Sequence, residues 1–254
     1  MCCFTRAVQA VNETNIFARP DEDARQFLVY SMTLKAKEDL AMVLPLPVEA
    51  GSGEKAVSFI DLKDYPGFFA DLFSGFALPA KSRSLSYKHD LAAHADQAKL
   101  EIVTVGDFEA SYVPTVNDFA RLDERFRLPA RTWDKLPGYR NHGFAVFKLK
   151  LGTATIHPMA FSFPRADASQ LFFPTVHIHD GKVHATAGFD HTLYCQGGPE
   201  GEFAVVSGWT ESERPASAFM KIRDVKGLVD GERHCYKREL RGRLRNNDTY
   251  LPRA

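Results

Sequence analysis

The chain has 254 residues, of which 44% are hydrophobic, 12% aromatic and 25% charged. A domain typically runs about 100–200 residues, so the chain holds one large unit or two fused halves, and its apolar share excludes a disordered or fibrous protein. Lys and Arg together number 32, as do Asp and Glu, so no global field draws nucleic acid or an anionic membrane, and charges break every apolar run before the ~18 residues of a membrane span.

The chain starts Met1-Cys2-Cys3-Phe4-Thr5-Arg6, without the basic, apolar and small-residue order of a secretory signal, which predicts a soluble cytoplasmic protein. Runs 26–34 (QFLVYSMTL) and 40–46 (LAMVLPL), joined by the charged segment 35–39, predict a hairpin. Pro45 and Pro47 remove two ladder donors, so the second strand must end there or lie on a sheet edge. Residues 57–62 read as a short strand, and in 65–73 (YPGFFADLF) Phe68, Phe69, Leu72 and Phe73 fall at the spacing of a buried helix. A strand over 99–105 and a helix over 116–126, capped by Asn117 or Asp118, follow.

Residues 26–47 align without a gap on 143–164 (GFAVFKLKLGTATIHPMAFSFP), matching Phe27 with Phe144, Val29 with Val146, Met42 with Met159 and Pro47 with Pro164. This raises a duplicated module in two related halves, 1–125 and 126–254, against a single unit over 1–254. Strands are expected over 171–179, 184–195 and 203–209, a short helix over 215–226, and a charged, solvent-facing strand over 234–244. The fold class is therefore β-rich α+β, with antiparallel or mixed sheets and a few short helices.

The most informative stretch is 175–195 (TVHIHDGKVHATAGFDHTLYC). Asp180-Gly181 between alternating runs signals a two-residue turn, which would pair His177 with His184. Val176, Ile178, Val183, Ala185 and Ala187 then share one face, and Thr175, His177, His179, His184 and Thr186 the other. Opposed residues have Cβ atoms ~5 Å apart, so His177, His179 and His184 are candidate ligands for Zn, Cu or Fe, with one coordination position left for water or substrate. His191 and Cys195 join only if a bulge at Gly188 returns them to that face, and Asp190 is a candidate to orient an imidazole. A solvated histidine face is the competing reading.

Cys2 carries a second chemistry. Removal of Met1 would place its thiol beside a free α-amine able to take the thiol proton, the logic of an N-terminal nucleophile acting on an amide. Met1-Cys2 and the run 16–21 (IFARPD) are loosely similar to the N-terminal Cys and downstream Arg and Asp of the choloylglycine hydrolase and acid ceramidase family. A broader likeness rests on Cys2, Cys3, the segment 39–47 (DLAMVLPLP), 105–108 (VGDF), 138–149 (GYRNHGFAVFKL), His157-Pro158-Met159 and Phe163-Pro164. In their order these pieces resemble an uncharacterised bacterial family, catalogued only as a domain of unknown function, which implies no activity. The chain is thus expected to be a soluble metal-binding protein or metalloenzyme acting on a small molecule or peptide. An N-terminal cysteine amide hydrolase and a non-enzymatic interaction module are the alternatives. No phosphate-binding loop, nucleophile elbow or paired CxxC is present.

Overall fold

The structure is a computed structural model describing residues 2–49, 51–76, 100–106, 108–122, 124, 127–128, 130–149, 152–179, 182–197 and 208–252, with Cys2 described by its backbone. Two sheets pack face to face. The first contains β1 (Cys2–Phe4), β4 (Leu40–Leu46), β6 (Val103–Val105), β7 (Phe108–Val113), β8 (Gly143–Leu149) and β11 (His177–Ile178), in the order β11-β1-β4-β8-β7-β6. The second contains β2 (Ala10–Pro20), β3 (Arg25–Ala36), β5 (Ser58–Ile60), β9 (Gly152–Pro164), β12 (Thr186–Cys195), β13 (Thr210–Glu211) and β14 (Tyr236–Arg245), in the order β13-β14-β12-β2-β3-β9-β5. A small ribbon of β10 (Gln170–Phe173) and β15 (Thr249–Pro252) completes the strands. Most neighbours are antiparallel, while β1 with β11 and β2 with β12 are parallel.

Three apolar layers explain why so many strands read as continuous hydrophobic runs. The central layer, between the sheets, contains Phe4, Leu28, Tyr30, Met42, Leu44, Phe147, Phe161, Leu193 and Cys195. The outer face of the first sheet supplies Cys3, Val43, Phe144 and Val146 to a second layer, covered by Phe119 and Trp133 from short 3-10 segments. The outer face of the second sheet supplies Phe17, Val29, Ala160 and Tyr194 to a third, covered by Phe68 and Leu72 of α1 (Phe68–Ser74) and by Met220, Val225 and Leu228. A strand buried on both faces cannot alternate apolar with polar, and β4 is buried at every position.

Several expectations change at this level. The strands expected to form a hairpin over 26–46 are β3 and β4, but they join different sheets: β3 pairs with β2 and β9, and β4 with β1 and β8. Pro45 is accommodated because β1 reaches only Met42 and Val43, leaving the far side of β4 without a ladder beyond them. Phe73 is 53% exposed, so the buried stripe of α1 is Phe68, Phe69 and Leu72. The helices expected over 116–126 and 215–226 appear as 3-10 segments, Val116–Arg121 and Ala216–Ala218, the first with no side-chain cap on its backbone. The solvent-facing strand predicted over 234–244 is β14, whose exposed outer half carries Arg241, Arg243 and Arg245. Residues 203–207 of the expected strand 203–209 lie outside the described residues, as do Asp180 and Gly181. Both sheets draw strands from both halves of the chain, and no helix among the described residues is long and apolar enough to cross a membrane.

Candidate functional site: a histidine cluster between the sheets

Alternation along 175–179 is as the sequence predicts, but the polar face looks inward. Val176 and Ile178 pack into the outer layer of the first sheet, which turns His177 and His179 toward the second sheet. There His179 meets Phe4, with ring centroids 5.6 Å apart, and His177 meets Phe189 and His191 of β12, each at 4.6 Å. His177 is 7% exposed and His191 1%. Three imidazoles and two phenyl rings thus fill one end of the layer between the sheets.

His177 Nδ1 and His179 Nε2 lie 3.1 Å apart and share one hydrogen bond, the donor set by the tautomer. His177 Nε2 and His191 Nδ1 are buried with no hydrogen-bond partner among the described residues. A polar atom left so costs about 1–3 kcal/mol and calls for an ion, a water or a functional reason. Burial, and after it the neighbouring His179, lowers the His177 pKa from 6.5 to about 3. Burial, with His177 next, holds His191 well below its ordinary value. Both rings are therefore neutral near pH 7, the state that donates a lone pair to a metal. Among the described residues no group of three or more His, Cys, Asp and Glu is placed to hold an ion as the side chains stand.

The expected hairpin is replaced by longer-range pairing. β11 pairs in parallel with β1, setting Cys2 beside His177 and Cys3 beside Ile178, while β12 pairs with β14 and β2. Among the described residues no ladder joins 175–179 to 182–186. The gap is bridged by Asn246, whose Oδ1 accepts the His177 N–H at 2.8 Å and whose Nδ2 donates to His177 O at 2.9 Å and His184 O at 3.0 Å. His184 is exposed and lies outside the inward-facing group. Its place is taken by His191, which needs no bulge: the β12–β14 ladder runs without a register shift through Gly188. The bulge is instead in β2, between Asn12 and Asn15, where Glu13 has φ of 53° and Thr14 lies opposite His191. Asp190 does not orient an imidazole, since it accepts the Glu13 N–H at 3.0 Å and pairs with Arg241 at 3.3 Å.

Cys195 faces the same layer as His191 but four residues further along β12, about 13 Å away at the rise of a strand. Its thiol is fully buried and its pKa is pushed well up by burial, and less by Cys235, so it is a protonated core residue near pH 7. Cys3, Cys195 and Cys235 form no disulfide among the described residues. The residues that sequence reasoning missed are Phe4, Phe189, Asn246 and Asp248. Asp248 Oδ1 accepts the N–H groups of Thr175 and Val176 at 2.8 and 3.0 Å, and Oδ2 accepts the Tyr139 hydroxyl at 2.5 Å. The only sequence signal for this clasp is the polar run Asn246-Asn247-Asp248 between two strands.

No family model matches the chain. Among solved structures it is similar to the crystal structure of baculovirus P35, at 11% identity and a TM-score of 0.46, over 96% of this chain and 97% of that one. It is likewise similar to the structure titled the caspase-8/P35 complex, at 10% identity and a TM-score of 0.45, over 95% of this chain and 96% of that one. Likeness of this degree assigns neither family nor function.

Proposed function

We propose that the chain binds a transition metal ion, Zn, Cu or Fe, through His177, His179 and His191. The observation that carries this reading is the pair of buried imidazole nitrogens, His177 Nε2 and His191 Nδ1, on rings 4.6 Å apart and without a hydrogen-bond partner among the described residues. A bound ion would offset the cost of those orphaned atoms, and the phenyl rings of Phe4 and Phe189 would shield it from competing water. Three protein ligands leave a position at which water or a substrate group can bind, so a metalloenzyme follows if that position is reached from solvent. Elemental analysis by inductively coupled plasma mass spectrometry, on untagged protein prepared without chelator, tests the reading. Near-stoichiometric metal is expected in the wild type and in His184→Ala, and a large loss in His177→Ala and His191→Ala. Protein that stays empty after reconstitution with Zn, Cu and Fe sinks it.

A second reading is favoured by the register that sets Cys2 beside His177. With Met1 removed, the α-amine of Cys2 is the candidate base for its own thiol in a cysteine amide hydrolase, and the strand register sets its backbone beside His177. Here Cys2→Ala alone abolishes activity toward amides, without changing metal content. An interaction module would tolerate both sets of substitutions.

A further inference from the structure

We infer that Asn246 is the positioning residue of the histidine cluster, an inference that rests on the metal-binding reading. A short edge strand of two residues, paired on one side only with a three-residue strand, cannot by itself hold a buried imidazole in one orientation. Asn246 supplies what the missing hairpin would have supplied. Its amide closes a two-bond ring with the N–H and C=O of His177, as a neighbouring strand would, and spends its second N–H on His184 O. Its backbone N–H donates to Ala185 O at 3.0 Å, so the residue is fixed by the segment that leads into β12. His191 belongs to that same strand. Asn246 therefore ties the backbone that carries His177 to the element that carries His191, and touches neither ring nitrogen.

This chemistry is specific to a side-chain amide. An acceptor and a donor must lie side by side at the length of an Asn, and two N–H groups are needed to reach two carbonyls. Asp keeps the acceptor for His177 N–H but turns a carboxylate oxygen toward the carbonyls of His177 and His184, replacing two attractions by repulsion. Asn247 provides the internal control, since among the described residues its side chain bonds only to Asp248 O, at 2.8 Å.

Groups bonded to the ring of a metal-binding histidine are worth about 10- to 100-fold in metal affinity, and a residue that fixes the same histidine through its backbone is expected at the lower end of that range. Titration with Co(II), followed by its visible ligand-field absorption, is expected to show at least tenfold weaker binding and an altered spectrum in Asn246→Asp and Asn246→Ser. Asn247→Ala should match the wild type. Nitrogen-15 NMR of the metal-free protein gives a readout independent of any ion: the ring resonances of His177 and His191 should shift in Asn246→Asp and not in Asn247→Ala. Unchanged ring resonances in Asn246→Asp overturn the inference, whatever the wild type does with Co(II). Loss of the folded circular dichroism spectrum in Asn246→Asp and Asn246→Ser also overturns it, because the role is then structural. A wild type that takes up no Co(II), Zn, Cu or Fe while the resonances still shift overturns the metal reading and leaves the positioning role standing.

Discussion

The layer between the two sheets has an aromatic centre and a histidine end, and both are built from the same kind of contact. At the centre Phe147 and Phe161 meet across the sheets with centroids 5.9 Å apart, and Phe59 stands edge-on to both. At the end His177 meets His179, His191 and Phe189 at 4.6–4.9 Å in near-perpendicular arrangements. The phenyl rings leave nothing unsatisfied, whereas the imidazoles put two nitrogens without a partner among the described residues in the same buried layer. An imidazole fills the volume of a hydrophobic ring at an added cost of about 1–3 kcal/mol per orphaned atom, so the histidine end contributes less to stability than the aromatic centre.

That contrast can be broken from the centre outward. Phe161→Ala, which empties a fully buried phenyl site, should lower unfolding free energy by about 3–5 kcal/mol in urea titration. Asp248→Ala orphans the N–H groups of Thr175 and Val176 and should cost about 1–3 kcal/mol while loosening the histidine end selectively. Hydrogen exchange at 175–179 that stays as slow as in the wild type would refute the selective part.

Acidification comes next and follows from the depressed pKa values. His177 titrates near 6.5 in the unfolded chain and near 3 when folded, so the unfolded chain binds more protons between those limits. The stabilising contribution of neutral His177 is complete above about pH 6.5 and is lost as the pH falls toward 3, with a slope of up to about 1.4 kcal/mol per pH unit. His191 adds in the same direction. Urea midpoints measured from pH 7 to pH 4.5 should fall more steeply for the wild type than for the His177→Phe, His191→Phe double variant, and equal slopes would contradict the burial of these rings as neutral groups. At the small end, Arg6→Ala removes a pair with Glu38 whose side chains are 48% and 56% exposed, and should change stability by no more than about 0.5 kcal/mol.

Local signals carried the sequence reading where structure is local. The alternation over 175–179, the exposed strand β14 and the apolar stripe of α1 are all legible in residue spacing. The turn signal at Asp180-Gly181 could not reveal that 177–178 take a parallel partner at Cys2–Cys3, because a parallel pair has no turn of its own and leaves no mark near either strand. Likewise the charged tip between β3 and β4 marks a reversal, but strands buried on both faces look alike whether they pair together or part into separate sheets. Three of the four imidazoles singled out in the sequence are in the cluster. The fourth, His184, was chosen by an assumed cross-strand register, and the register is what differs.

The parallel partners of β1 and β2 bear on how the chain reaches this state. β1 waits for 177–178 and β2 for 191–195, so the opening strands find those neighbours only after some 170 further residues exist. Contacts of such sequence separation slow folding, because the loop entropy is spent before the pairing returns it. During synthesis, at about 5–20 residues per second, β1 and β2 have for many seconds only β4 and β3 as ladder partners. The histidine cluster draws on both parallel pairings and is expected to form late.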